Sequence, residues 1–266
     1  MKIRAGFEID YDCPTPSPLL FMFSVRPERT KDLISPDRLN TDPPVPVHQY
    51  LDSFGNVCTR INAPAGAIRL STDFLINDSG EPDEAGPNAV QHPVGDLPDD
   101  TIVYLLGSRY CETDRLSDIA WTLFGDTPLG WPRVQAIMEY THKRIAFGYA
   151  NARRTRTAFE AYTEQVGVCR DYAHLAVAFC RCMNIPARYC AGYLGDIGVP
   201  IDGEMDFSAW LEVYLGDRWY TADARHLQPR IGRIVMARGR DAADTAIATT
   251  FGAAQLARLK VVTEEV

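Results

Sequence analysis

The stretch VGVCRDYAHLAVAFCRCMNIPARYCA, residues 166–191, decides the fold. Gly167 marks a turn, and Cys169 stands where a helix begins. Leu175, Ala176, Ala178, Phe179, Cys182 and Met183 then recur at helical spacing and define a face that must be covered. Asn184 and Pro186 end the helix, and RYCAGYL reads as a strand. A cysteine in the first turn of a helix meets the positive end of the dipole and free N–H groups. Both favour the thiolate, the form that attacks carbonyl carbon.

Working outward, the upstream text supplies more helix. DRLSDIAWTLFG is periodic, and Pro132 suits a first helical position ahead of Val134, Ile137, Met138, Thr141 and Ile145 on one face. A further helix in TAFEAYTEQ turns Ala158 and Tyr162 inward and leaves Glu160 and Glu164 wet. TIVYLLGSRYC reads as a short strand and loop. Downstream come the strand-like segments ARYCAGYLG, FSAWLEVYLG and RWYTADAR, with Gly216–Asp217 as a hairpin turn. Helices followed by an antiparallel meander make an α+β unit with the cysteine helix packed on the sheet.

The first hundred residues differ in texture. They carry 8 Lys+Arg against 16 Asp+Glu, whereas residues 101–266 carry 19 of each. Residues 2–9 alternate, LLFMFSVRP is a continuous apolar strand, HQYLDSFGNVCTRI is a hairpin around Ser53–Asn56, and AIRLSTDFLIND is another strand. Pro- and Gly-rich turns between short strands describe an antiparallel β-sandwich. DSGEPDEAGPNAVQHPVGDLPDD reads as a connector. The expected division is therefore a sandwich over residues 1–100 and a cysteine domain over 101–266, the latter including C-terminal strands, with LARLKVV covering an edge.

Several classes are excluded or disfavoured. The Arg clusters at 153–156 and 225–240 are local and read as salt-bridged faces, so no nucleic-acid footprint is present. Seven cysteines in a chain without an N-terminal apolar leader point to a reducing cytoplasm, with most thiols as buried hydrophobes. No stretch is long enough to span a membrane, and Cys180, Cys182, Cys169 and Cys190 match no common zinc spacing. There is no G-x-G-x-x-G, P-loop, H-E-x-x-H or calcium loop. No cofactor and no metal are expected.

GVCRDYAHLAVAFCRCMNIPARYCAGYL resembles the cysteine segment of the transglutaminase-like, papain-like superfamily, in which G-x-C-R-D precedes an A-x-L helix, a G-I-P-A-R turn and a G-Y strand. The resemblance covers roughly residues 100–225. It implies a catalytic order of cysteine on a helix, histidine on the next long strand, and aspartate on the strand after. Cys169 fits the first place and Asp223, in RWYTADAR, fits the third. The second departs: where the family strand reads H-A-W-x-E-V-Y, this chain has S-A-W-L-E-V-Y, so Ser208 holds the histidine's position. Ala209, Trp210, Glu212, Val213 and Tyr214 pin that register.

Serine near neutral pH neither takes a proton from a thiol nor forms an imidazolium beside a thiolate. Three readings stay open. The domain has lost catalysis and binds peptide or protein; or another imidazole serves, His226 from three residues beyond Asp223, or His174 from five residues along the same helix, about 140° around it; or a dipole-activated thiolate works alone. Ser208 Oγ is expected to face Cys169 Sγ with Asp223 behind it. Asp171 is expected to cap the helix, Arg188 to pair with Asp171 or Glu212, and His142 to lie on a solvated face. The enzymatic expectation is acyl transfer at a peptide or glutamine amide through a Cys169 thioester, on a peptide or protein substrate. Exposed edges in a β-rich chain add a homodimer to the expectations.

Overall fold

The alternation of the first strand is realised along β1 (Lys2–Cys13), where Ile3, Ala5, Phe7, Ile9, Tyr11 and Cys13 are buried. The computed structural model describes every residue except 202 and 204. β2 (Ser17–Phe21), β3 (Asn40–Asp42), β4 (His48–Leu51), β5 (Val57–Ala63) and β6 (Gly66–Asn77) follow, β4 and β5 forming the expected hairpin. Residues 99–102 form a helical turn, α1 (Asp99–Ile102), in place of the expected strand. Pro98 and two aspartates at its start favour helix, and the apolar run after them is too short to pair.

The helical layer consists of α2 (Thr113–Phe124), α3 (Trp131–Arg144), α4 (Ala158–Glu164) and α5 (Cys169–Cys182), with short strands β7 (Ala146–Phe147) and β8 (Val166–Gly167) between them. β9 (Ala187–Tyr193), β10 (Ser208–Leu215), β11 (Arg218–Ala222) and β12 (Ile234–Gly239) form an antiparallel sheet in the order β11-β10-β9-β12. Gly216 and Asp217, at φ 51° and 65°, make the β10–β11 turn, a geometry that suits glycine and a short polar residue. Leu211, Val213 and Leu215 pack beneath α5. Every residue of α5 from Asp171 to Cys182 is buried, because α2, α3 and α4 cover the sides the sheet leaves open. The single apolar face read from the sequence is thus half of the truth: α5 is a central helix.

The division at residue 100 needs correction at the C-terminus. β13 (Ala248–Thr250) pairs with β2, and β14 (Gln255–Glu265) pairs with β1, so these last strands complete the two sandwich sheets, β14-β1-β6-β3 and β13-β2-β5-β4. Their alternating residues fit the open edges of the first hundred residues rather than the cysteine sheet. Nor are the two cores separate. Tyr193, Phe207, Ile234 and Met236 enter the sandwich core. Phe207 stands 5.9 Å from Phe23, 6.0 Å from Phe7 and 5.3 Å from Tyr193, ring centre to ring centre. A fully buried aromatic side chain is worth about 1.5–3 kcal/mol. Phe207 therefore anchors its neighbour Ser208, and with it the start of β10, to the sandwich.

Candidate active site

The start of α5 is locked by its own sequence. Asp171 Oδ2 accepts the Val168 N–H at 2.9 Å and the Arg156 guanidinium at 3.1 Å. Asp171 thereby caps the helix as expected. A Cβ on Gly167 would lie 2.6 Å from Asp171 Cβ, so only glycine permits this carboxylate to fold back. Because Asp171 is taken by Arg156, Arg188 goes to Glu212, at 2.5 Å. Cys169 emerges at the first helical position.

Of the seven cysteines, Cys169 alone is not fully buried. Its thiol is nonetheless pushed up to about 11. Burial of the sulfur dominates and the Asp206 carboxylate adds to it, outweighing the Arg225 charge and the N–H groups of Ala209 and Arg170 that favour the anion. The expectation that helix position makes a resting thiolate is therefore corrected: the field is present, and desolvation is larger.

Ser208 opens β10, and its Oγ is buried without a hydrogen-bond partner. No hydrogen bond joins it to Cys169. Strand alternation sends Ala209 and Leu211 towards α5, leaving Ser208 on the face of Trp210 and Glu212. Asp223, just past β11, stands behind His226 rather than behind the serine. Its Oδ2 lies 2.9 Å from His226 Nδ1 and accepts from Arg233 Nη2 at 2.8 Å, while Oδ1 accepts the N–H groups of Arg225 and His226 at 2.9 and 3.2 Å. Burial alone would raise this carboxyl. The Arg233 charge and the His226 contact overturn that and hold it well below the usual carboxylate range. An ionised Asp223 fixes the His226 proton on Nδ1 and leaves Nε2 as the acceptor.

His174 has a different fate. It is 0 % exposed, stacked on Tyr110 at 5.3 Å, and its Nε2 accepts the Ala242 N–H at 3.1 Å. Burial pushes its pKa well below the usual imidazole value. The structure therefore separates His174 from the group of candidate residues. His142 is exposed, as expected, with Nδ1 3.0 Å from the Ala224 carbonyl.

Two cavities meet at Asp206, Phe207 and Ser208. One, of about 520 Å³, is an apolar cleft containing Cys169; the other, of about 200 Å³, is polar and contains His226, Arg225 and Tyr149. Asp206, Arg225 and Arg233 were not singled out in the sequence. Arg225 lies within the D-A-R-H turn and Arg233 beyond it, yet their charge partners come from residues 83, 206 and 223, which the fold brings together. Ala242, Thr245, Ala246, Ile247 and Ala248, in the segment after β12, also line the cleft.

Residues 121–224 match the transglutaminase-like superfamily model. A candidate cysteine protease from Cytophaga hutchinsonii has a crystal structure with 30% identity, covering 99% of this chain and 90% of that one, with a TM-score of 0.84. An uncharacterised protein of Mycobacterium leprae is 22% identical over 241 residues, 82% of this chain and 80% of its own length. The periplasmic domain of TgpA from Pseudomonas aeruginosa is 18% identical, with a TM-score of 0.41 over 82% of this chain and 75% of that one. Among the described residues no helix is long and apolar enough to cross a membrane. On the family-model match and the 30% identical structure that covers 99% of its length, the chain belongs to the transglutaminase-like superfamily.

Proposed function

We propose that the protein is a cysteine hydrolase or acyltransferase acting on a peptide or glutamine amide through a Cys169 thioester, with the Asp223–His226 pair as its base. The observation that carries this reading is the 2.9 Å contact between Asp223 and His226, an oriented imidazole beside the cavity that Ser208 shares with the thiol. Cys169 sulfur attacks the carbonyl carbon as its proton leaves. That proton goes to His226 Nε2. The imidazolium then protonates the amine as the C–N bond breaks, leaving the thioester. Water or a second amine adds to the thioester carbon, loses a proton to His226, and expels the thiol. Asp223 keeps the ring oriented and balances its charge throughout.

A second reading, a degenerate domain that binds peptide without turnover, has one observation in its favour: the thiol is raised to about 11 with no imidazole bonded to it. Intact-mass measurement after exposure to an activated p-nitrophenyl ester separates the two. The catalytic reading expects one acyl adduct on Cys169, absent in Cys169→Ala. A wild-type protein that forms no adduct on Cys169 would overturn it in favour of the binding module.

A further inference from the structure

The cleft that reaches Cys169 has a composition of its own. Its walls are Ile9 and Tyr11 from β1, Leu256 and Leu259 from β14, and Ala246 and Ile247 from the segment before β13. Leu256 is 56% exposed and Leu259 38%, so an apolar strip lies bare beside the thiol. Arg154 and Arg170 line the opening, and Arg109 stands beside it on the ring of Tyr110, which lines the cleft. Arg109 and Arg170 sit over the Tyr110 ring at 4.8 and 4.3 Å, and the charge of Arg154 is felt at Tyr11. Among the described residues none of the three forms an ion pair. Their neighbours Arg153 and Arg156 do, with Glu160, Glu164 and Asp171. In a chain of net charge −8, three unpaired cations around one opening attract acidic ligands and repel basic ones.

We infer that the acyl donor is a peptide carrying a bulky apolar side chain for the cleft and one or more acidic residues for the arginine mouth. This rests on the proposed function only in taking Cys169 as the reacting atom. The apolar side chain expels water from Leu256, Leu259 and Ile247 and brings its carbonyl to the thiol. The acidic residues sit outside, where Arg154, Arg170 and Arg109 meet them in partly screened solvent. A basic flank would meet the same arginines with like charge.

Binding is measured without turnover on Cys169→Ala, by fluorescence anisotropy of three labelled peptides: Glu-Glu-Leu, Lys-Lys-Leu and Glu-Glu-Ser sequences in a common frame. The acidic apolar peptide is expected to bind about tenfold more tightly than either of the others. Its advantage over the basic one should shrink between about 50 and 500 mM salt. Adding Arg154→Glu should narrow the acidic-over-basic preference several-fold, and adding Leu259→Ser should erase the leucine-over-serine preference. Equal affinities for the acidic and basic peptides, or a preference unchanged in size by Arg154→Glu, would overturn the inference. Wild-type protein that acylates from all three peptides with equal kcat/KM would overturn it while leaving the catalytic reading intact. Selective binding with no acyl adduct would do the reverse.

Discussion

Two imidazoles are candidates to replace the missing base at Cys169, and the structure treats them in opposite ways. Around His174 the helix interior closes completely: Tyr110 and Tyr189 stack on the ring at 5.3 and 4.9 Å, and the Ala242 N–H occupies Nε2. Around His226 the chain turns back past β11, Asp223 holds Nδ1, and the ring borders a cavity. Proximity along the helix put His174 within consideration. Burial removed it, since a ring without solvent or a free acceptor cannot cycle a proton. The difference teaches that a replacement base is recognised by what holds its far nitrogen and what leaves its near one open.

The sharpest way to break this comparison is to exchange the fates of the two rings. His226→Ala should slow Cys169 acylation by about 10²- to 10⁴-fold, the range of a lost general base. His174→Phe, measured per folded molecule, should leave that rate within a factor of about two, for a ring outside the proton path. Single-turnover kinetics with an activated ester reads both. A rate that falls with His174→Phe and survives His226→Ala would reassign the base to the helix.

The second test concerns the cations that hold the strand end. Arg233 bridges Asp83 and Asp223 at 2.8 Å each, and the side chains of Arg233 and Asp223 are each 5% exposed. Removing one partner of a buried pair costs about 3–5 kcal/mol, so Arg233→Ala should lower stability by that order in urea unfolding. The pH dependence follows from the depressed Asp223 carboxyl. Its folded value lies below its unfolded one, so its contribution is complete above the unfolded value of about 4 and is lost as pH falls below it. Without Arg233 the folded value rises towards the unfolded one, so less stability should be lost as the pH falls below about 4. An unchanged acid limb would show that Asp223 is held by something else.

Much of this was legible in residues 166–225, for reasons that are local. Gly167, Cys169 and Asp171 act within one helical turn, and the Gly216–Asp217 hairpin is written in adjacent residues. The exclusion of histidine from position 208 was equally plain. What was hidden depends on distant segments. β14 pairs with β1 across Ile3↔Glu265, and nothing in either strand names the other. Asp206 and Arg225 act on Cys169 through space, and the sign of their balance against burial cannot be read from spacing. The helix-start argument named the favourable effect and lacked the larger, unfavourable one.

A third, smaller effect lies in the interior. His174→Phe keeps the aromatic stacking and removes the acceptor for the Ala242 N–H, so a cost of about 1–3 kcal/mol is expected from an unsatisfied buried donor. Thermal or urea unfolding reads it. His174→Gln, which can still accept, should recover part of that loss. Equal stability for all three proteins would mean that the Ala242 N–H finds another partner and that His174 is filler.

The smallest expected effect is the most direct on the thiol. Cys169 is balanced between burial, which pushes it up to about 11, and Arg225, whose charge pulls it back. Alkylation proceeds through the thiolate, so its rate should rise about tenfold per pH unit between about pH 7 and 9.5, well below the pKa. Cys111, Cys180, Cys182 and Cys190 are buried and pushed up to about 12, and they should react more slowly throughout. Arg225→Gln removes the favourable charge and raises the Cys169 pKa further. The thiolate fraction at any pH in this range then falls, and the rate should drop by about three- to tenfold with the slope unchanged. Residue-resolved mass mapping with iodoacetamide measures this for each cysteine in one experiment. A parallel downward displacement for Cys169 alone places Arg225 as the cation that stands where an imidazolium would. A rate that is flat with pH would mean that the thiol is already ionised, and that the helix field outweighs burial after all.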